Sequence, residues 1–207
     1  MVPIATYLPS QKSDQVKFDW EELLVRWNKE LLEDEQIRAH LPLEVLDSAW
    51  LGYPGATDTQ IAHAEARLGT TLPPSYRDFL KFTNGWRQMG PFIYKLWSTE
   101  EIDWFSVRNQ DWIDAYLQGG LPPVPDEEYF TYGDDQDPTL FRVEYLQTTL
   151  EISDVGDSAI FLLNPRVVTS DGEWEAWFFA NWHPGAMRYR SFWEMMQRDY
   201  EIYHSMR

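Results

Sequence analysis

Apolar residues recur at helical spacing near both ends of the chain, and this pattern predicts two amphipathic helices. The first is expected over residues 14–38, where apolar positions share one face and charged residues occupy the other. The second begins after Ser191, which can cap the first turn together with Glu194 three residues later. The apolar stripes consist of Trp20, Leu23, Leu24, Trp27 and Leu31 in the first helix, and of Phe192, Met195, Met196, Tyr200 and Tyr203 in the last.

Two shorter helices are predicted in the part of the chain that follows the first helix. Thr57 and Gln60 have the spacing of a capping box, and Gly69 stands where a left-handed residue ends a helix. Pro73 and the proline after it then begin a second helix, which Asn84 and the following glycine end. This segment holds no evident nucleophile, metal ligand or phosphate-binding loop, so its pattern indicates a scaffold.

Short runs of β-branched and aromatic residues, separated by turn formers, predict strands in the rest of the chain. A short helix is expected over residues 109–118, and Asp171 with Gly172 has the composition of a hairpin turn. A mostly antiparallel sheet packed with helices is an α+β fold. We predict one domain over residues 48–207, with a helical extension over residues 1–47 that packs on it. The predicted strands cover residues 92–98, 128–132, 140–146, 149–153, 159–163 and 173–180.

Composition narrows the class of protein. The chain of 207 residues contains 43% hydrophobic residues and no cysteine, which provides material for a core and excludes disulfides, cysteine-bound metals and thiol catalysis. It has no apolar stretch of about 18 residues, the length that a membrane helix needs. Residues 1–18 also lack the basic start and apolar run of a signal peptide. A cytoplasmic protein without a membrane span is therefore expected.

Negative charge is concentrated in one part of the chain. The net charge is −17, and residues 99–157 hold 15 acidic and 2 basic residues, a net charge of −13. Such a charge repels nucleic acid and attracts a basic protein. Turn-forming residues place many of these acids on an exposed loop beside aromatic residues, which suits the docking of a partner. The candidate partner-binding residues are Asp126, Glu127, Glu128, Tyr129, Tyr132, Asp134, Asp135 and Asp137.

Two other interpretations of these acids are a solvated loop without a partner and a calcium-binding loop. Asp134, Asp135 and Asp137 offer oxygen ligands that lie close together in sequence. The ligand spacing of an EF-hand loop is missing, which disfavours calcium. No metal and no cofactor are therefore predicted, whereas the choice between a docking patch and a solvated loop stays open.

The familiar catalytic motifs are missing from the sequence. The four histidines are far apart, and there is no nucleophile elbow, phosphate-binding loop or dinucleotide-binding motif. The remaining enzymatic hypothesis is a glycosidase, which needs two carboxylates near aromatic platforms for sugar rings. Glu173 and Glu175 are expected on the same face of one strand, next to Trp174 and Trp177. Such a pair is common on exposed strands, so a protein without enzymatic activity is the better prediction.

Several motifs occur in an order that resembles the Smi/Knr family of the SUKH superfamily, and the resemblance spans residues 48–200. The motifs are PGA at 54–56, ARLG at 66–69, LPPSYRDFL at 72–80, NGW at 84–86, FRVEYL at 141–146, GDSAIFLLNP at 156–165 and DGEWEAWFFANWHPGA at 171–186. The resemblance implies structural roles for Pro54, Gly55, Leu72, Pro73, Tyr76, Phe79, Asn84, Gly85, Trp86, Gly156, Asn164, Pro165 and Trp177.

The same resemblance implies an α+β domain without a known catalytic centre. Bacterial members of the family often act as immunity proteins that bind and neutralise toxins, many of them nucleases, and fungal members are regulatory scaffolds. We therefore expect an immunity protein, monomeric or homodimeric, that binds a cognate toxin domain with a basic surface. The alternative is a regulatory scaffold with a cellular partner. Neither interpretation involves direct contact with nucleic acid or a membrane.

Overall fold

The computed structural model describes residues 6–8, 18–90 and 92–206, which form an α+β fold around one sheet. The strands are β1 Thr6–Leu8, β2 Asp103–Trp104, β3 Leu150–Glu151, β4 Ala159–Thr169, β5 Trp174–Ala180 and β6 Ala186–Tyr189. Five of them run antiparallel in the order β2-β3-β4-β5-β6, and β1 pairs in parallel with the last residues of β4. The sheet is thus a meander built around the long hairpin of β4 and β5.

Helices cover both faces of this sheet. The α-helices in the described ranges are α1 Trp20–Glu33, α2 Glu35–Arg38, α3 Leu43–Ser48, α4 Asp58–Leu68, α5 Pro74–Phe82, α6 Phe105–Arg108, α7 Gln110–Gln118, α8 Asp126–Tyr129 and α9 Phe192–Ser205. Two 3₁₀ helices cover Gly133–Asp135 and Val143–Thr148. Within the part of the chain that the structure describes, no helix combines the length and the apolarity that a membrane crossing requires.

Two hydrophobic cores lie on opposite faces of the sheet. The main core contains side chains of α1, α4, α5 and α9, whereas the second core lies under α6, α7 and α8. Strand β4 serves both, because Phe161 and Leu163 face the main core while Ile160 and Leu162 face the second. A strand buried on both faces is expected to be apolar at successive positions, as this one is.

Both ends of α4 and the start of α5 are as predicted, whereas α5 ends at Phe82, before the predicted stop at Asn84. Thr57 Oγ1 accepts a hydrogen bond from the Gln60 N–H at 3.2 Å, and Gln60 Oε1 accepts one from the Thr57 N–H at 2.9 Å, which completes the capping box of α4. Gly69 ends this helix with a φ of 70°, in the left-handed region. Helix α5 then begins at Pro74, and its fixed φ suits the first helical position.

Helices α1 and α9 pack against each other through their aromatic residues. The ring centroids of Trp27 and Tyr200 lie 5.6 Å apart. Ser191 caps α9 as predicted, with its Oγ accepting a hydrogen bond from the Glu194 N–H at 3.0 Å. The single helix predicted over residues 14–38 is wrong in its limits. Helix α1 covers Trp20–Glu33, and the extended Asp34 ends it and caps the separate helix α2. The predicted start at residue 14 lies outside the described residues. The division into an extension over residues 1–47 and a domain over residues 48–207 stays a prediction.

Three of the predicted strands are wrong. In residues 92–98, Leu96 forms isolated bridges without a regular strand. Residues 128–132 begin inside α8, because Pro125 and three acids in the first turn favour a helix start. Residues 140–146 lead into a 3₁₀ helix, in which Val143 and Leu146, three positions apart, both reach the second core.

Most residues to which the family resemblance gives structural roles are buried. At Gly55, which is exposed, a Cβ would lie 1.9 Å from the carbonyl oxygen of Lys81 in α5, so the close approach of the two backbones requires glycine. Trp86 is fully buried and bridges Gly52 and Leu96. Pro54 is also exposed, and Asn84 and Pro165 are half-buried. The buried residues are Leu72, Pro73, Tyr76, Phe79, Gly85, Trp86, Gly156, Asn164 and Trp177.

Candidate protein-binding surface

The acidic segment, residues 126–137, has its carboxylates on the surface and its tyrosines turned inward. Tyr129 is fully buried in the second core, and Tyr132 is half-buried. The expectation that both tyrosines present aromatic surface to a partner is therefore wrong for Tyr129, because this ring packs inside the protein. The exposed acids are Asp126, Glu127, Glu128, Asp134, Asp135 and Asp137.

A fully buried carboxylate in β5 anchors the acidic segment. Glu175 Oε2 accepts hydrogen bonds from the Tyr129 hydroxyl at 2.6 Å, Trp177 Nε1 at 2.7 Å and Asn164 Nδ2 at 2.9 Å. Glu175 Oε1 accepts one from the Tyr132 hydroxyl at 2.7 Å. Burial, and then the charge of Glu175, raises the pKa of both tyrosines, so they remain neutral donors. Four donors offset the cost of burying the carboxylate and fix the segment to the sheet.

Arg188 brings a buried positive charge to the same place. It lies on β6 with its guanidinium 4.4 Å from the centroid of the Tyr129 ring, and its Nη1 donates to the Tyr129 carbonyl oxygen. Its Nε and Nη2 have no hydrogen-bond partner among the described residues. A cation over an aromatic face is attracted to it, so Arg188 helps to hold Tyr129 against the sheet.

The acidic segment also covers one edge of the sheet. Strand β6 pairs with β5 on one side, and the side chain of Gln136 lies along the other. The Gln136 amide accepts a hydrogen bond from the Arg188 N–H at 2.6 Å and donates one to the Arg188 carbonyl oxygen at 2.7 Å. Two residues later, the Pro138 carbonyl oxygen accepts from the Ala186 N–H at 3.0 Å. These bonds satisfy backbone groups that an uncovered edge strand offers to other chains.

Most of the exposed acids lack a compensating charge. Asp126 pairs with Arg142, and Asp134 Oδ1 lies 3.0 Å from Arg198 Nη2. Hydrogen bonds from Thr139 lower the pKa of Asp137. The surface therefore carries a negative field whose range is set by ionic strength. The acids that form no salt bridge with any described residue are Glu127, Glu128, Asp135 and Asp137.

The three aspartates of the calcium hypothesis have different surroundings. Asp134 is paired with Arg198, whereas Asp137 Oδ1 accepts hydrogen bonds from the N–H and the hydroxyl of Thr139 at 2.9 and 2.7 Å. Within the described ranges, no group of three or more histidine, aspartate or glutamate side chains is arranged to hold a metal ion. The geometry of these acids fits a charged surface better than a coordination site.

The two carboxylates of the glycosidase hypothesis face different parts of the molecule. Glu175 lies in the second core, but Glu173 caps α5, accepting hydrogen bonds from the Ser75 N–H at 2.7 Å and the Ser75 hydroxyl at 2.5 Å. Burial raises the pKa of Glu173 to about 7. The expected common face is wrong, because the pairing of β4 with β5 shifts register between Asn164 and Val168 and reorients the chain there.

The sequence pattern did not indicate the roles of Gln136, Glu175 and Arg188. Charged residues are rarely buried without partners, so a sequence alone places them on the surface. One signal was present at Glu175, because the run WEAWFFA has apolar residues on both strand faces. Such a run predicts a strand covered on both sides, and any carboxylate within it must then find buried donors.

The matched family region includes these structural features. The sequence matches the model of the SMI1 / KNR4 family (SUKH-1) over residues 55–198, which is well over half of the chain. This region contains α4, α5, the antiparallel strands β2 to β6, the acidic segment and the first part of α9. A comparison with curated proteins finds no match. The match to the family model is extensive enough to assign the chain, which belongs to the SMI1/KNR4 family (SUKH-1).

Proposed function

We propose that this protein is a non-enzymatic immunity protein, which binds a cognate toxin domain through the acidic segment and neutralises it. Membership of the SMI1/KNR4 family is consistent with this role. The observation that carries the proposal is a set of exposed carboxylates on a segment that the buried Glu175 holds in place; four of them form no salt bridge with any described residue.

The proposed mechanism is occlusion of a basic surface on the toxin. A toxin that cleaves nucleic acid needs basic residues to hold the phosphates of its substrate. Three acids of the segment are exposed and available to such a surface: Glu127, Glu128 and Asp135. Complementary charge speeds the encounter of two proteins and fixes the orientation of their complex. Because the segment is already anchored, little conformational freedom is lost on binding. The bound immunity protein then occupies the place of the nucleic acid.

Co-expression with the product of the adjacent gene tests this function. The intact protein should restore growth of cells that produce that toxin candidate. A variant with Glu127→Gln, Glu128→Gln, Asp135→Asn and Asp137→Asn should protect less well. A matched control variant neutralises four exposed acids elsewhere in the chain. It has the same net charge as the first variant but should protect fully. The control substitutions are Glu21→Gln, Glu35→Gln, Glu44→Gln and Glu100→Gln.

Association kinetics at several salt concentrations give a second readout. Neutralising the four acids of the segment should slow association by about tenfold at low salt and reduce its salt dependence, because long-range attraction acts mainly on encounter. Full protection and an unchanged association rate in this variant would rule out the mechanism. Failure of the intact protein to protect, with stable capture of cellular proteins instead, would favour the regulatory scaffold.

A further inference from the structure

Exposed apolar side chains are concentrated around Phe92. Of the ten large apolar side chains that are exposed in the described residues, five belong to chain segments that meet near this half-buried ring. The ring centroid of Trp182 lies 5.3 Å from that of Phe92, and Ile202 and Met206 line a small cavity together with it. We call this surface the apolar patch, which consists of Phe92, Tyr94, Val155, Trp182, Ile202 and Met206.

Two loops of the apolar patch are packed backbone against backbone. A Cβ on Gly156 would lie 2.5 Å from the Phe92 carbonyl oxygen and 3.0 Å from the Tyr94 nitrogen. This close approach places Val155, the residue before Gly156, next to the two aromatic residues. The patch therefore brings together residues from four separate parts of the chain, and contiguous apolar surface of this kind marks interaction sites.

Trp182 is held in position although its side chain is exposed. It lies in the turn between β5 and β6 with 47% of its surface accessible, and its Nε1 donates a hydrogen bond to the Asp157 carbonyl oxygen at 2.8 Å. Asp157 and Ser158 have φ angles of 44° and 59°, in the left-handed region that non-glycine residues seldom adopt. Such backbone conformations often occur at functional sites. The fixed indole lowers the entropy cost of binding.

The apolar patch adjoins the acidic segment. Three residues after Trp182, a Cβ on Gly185 would lie 1.9 Å from the Pro138 carbonyl oxygen, so this turn packs directly against the residue that follows Asp137. Asp157, whose carbonyl oxygen accepts the hydrogen bond of the Trp182 indole, is exposed and forms no salt bridge with any described residue. Two exposed acidic residues of separate chain segments, Asp137 and Asp157, thus lie close to the turn that carries Trp182.

We propose that the apolar patch is the anchor of the toxin interface, and that its occupant is a basic protein surface carrying an exposed aliphatic or aromatic side chain. The inference rests on the proposed function and extends it to a second contact surface. Interfaces derive most of their affinity from a few aromatic anchors within a polar rim, and the rim here is acidic. A second copy of this chain is a poor occupant, because each copy carries a net charge of −17. In such a dimer, Asp137 and Asp157 would also be repelled by the carboxylates of the other copy.

Binding kinetics test the anchor with a catalytically inactive form of the adjacent gene's product as the probe. Trp182→Ala should raise the dissociation rate constant by about tenfold or more, with little change in the association rate or its salt dependence. Trp182→Phe should retain most of the affinity. Leu43→Ala is the matched control, because Leu43 is an apolar residue of α3 with 76% of its surface exposed, and it should have no effect.

The outcomes separate this inference from the proposed function. Unchanged dissociation in Trp182→Ala, with slow association in the acid variant, overturns the anchor and leaves the function standing. No binding by the intact protein overturns both. A dimer of the free chain that Trp182→Glu dissociates assigns the patch to self-association and also overturns the anchor. Circular dichroism checks that Trp182→Ala folds, and Val155→Ser provides a second test of the patch if it does not.

Discussion

Glu175 and Tyr129 are 46 positions apart in sequence and share a buried hydrogen bond of 2.6 Å. Tyr132 reaches the other oxygen of the same carboxylate, so one side chain of the sheet holds both tyrosines of the acidic segment. The conformation of an exposed, highly charged stretch therefore depends on a residue that no partner can touch.

Glu175→Ala should lower the free energy of unfolding by at least about 3 kcal/mol, because it leaves several buried donors without an acceptor. Tyr132→Phe removes one donor to a buried carboxylate and should cost about 2 kcal/mol, because hydrogen bonds to charged groups contribute more than neutral ones. Urea unfolding followed by tryptophan fluorescence measures both. Glu127→Gln is the surface control, with an expected change within about 0.5 kcal/mol. A loss below 1 kcal/mol in Glu175→Ala would contradict the anchoring role.

Gly55→Ala should destabilise the protein strongly, since its Cβ would meet the Lys81 carbonyl oxygen and the two backbones would have to separate. We expect a loss of about 3 kcal/mol, as for other substitutions that force a packed structure apart. Gly69→Ala is the matched control, because its φ is 70° but no atom lies within 4 Å of the added Cβ. It should cost about 1 kcal/mol, the strain of the left-handed conformation. Equal losses in thermal unfolding would argue against the steric explanation.

Glu173 should make stability depend on pH. Its pKa rises from 4.5 to about 7 on folding, mainly through burial, so the folded state binds the proton more tightly than the unfolded chain. The stabilising contribution is fully present below pH 4.5 and is lost as pH rises through about 7.

The variant Glu173→Gln removes this titration and keeps an oxygen that can accept a hydrogen bond from the Ser75 N–H. The free energy of unfolding of both proteins should fall between pH 5 and pH 8. The fall should be smaller in the variant, and the difference between the two proteins should be about 1–3 kcal/mol. Some dependence should remain, because burial also raises the pKa of Glu151 and of Asp199 to about 7. Urea titrations across this range measure the difference. Parallel curves for the two proteins would exclude the assignment.

Gln136→Ala should uncover the edge of β6. Two hydrogen bonds to the backbone of Arg188 are lost, which should lower the free energy of unfolding by about 1–2 kcal/mol. The freed backbone groups can pair with another chain, so light scattering at raised temperature should show faster aggregation. Gln118→Ala, at an exposed position of α7, is the control. Aggregation at the same rate in both variants would show that Gln136 does not protect this edge.

The limits of α4 and the start of α9 could be predicted from the sequence because local chemistry determines them, whereas the break at Asp34 between α1 and α2 was not predicted. The capping box of Thr57 and the left-handed Gly69 need no information from distant residues. The structure of the acidic segment was harder to predict. Tyr129 and Tyr132 are residue types that favour strands, but their conformation depends on Pro125, which precedes them, and on Glu175, which is distant in sequence. The placement of Glu173 and Glu175 on different faces of the sheet was also not predictable, because it depends on the register shift between β4 and β5.

The anchoring of the acidic segment separates the requirements of recognition from those of folding. Tyr129, Tyr132 and Gln136 are tied to the sheet, whereas Glu127, Glu128 and Asp135 have no described ion pairs to lose. In the proposed complex with a toxin, substitutions at the three acids would therefore alter the choice of partner at little cost in stability. If the toxin changed in evolution, these exposed positions could be substituted one at a time, and every intermediate protein would remain folded.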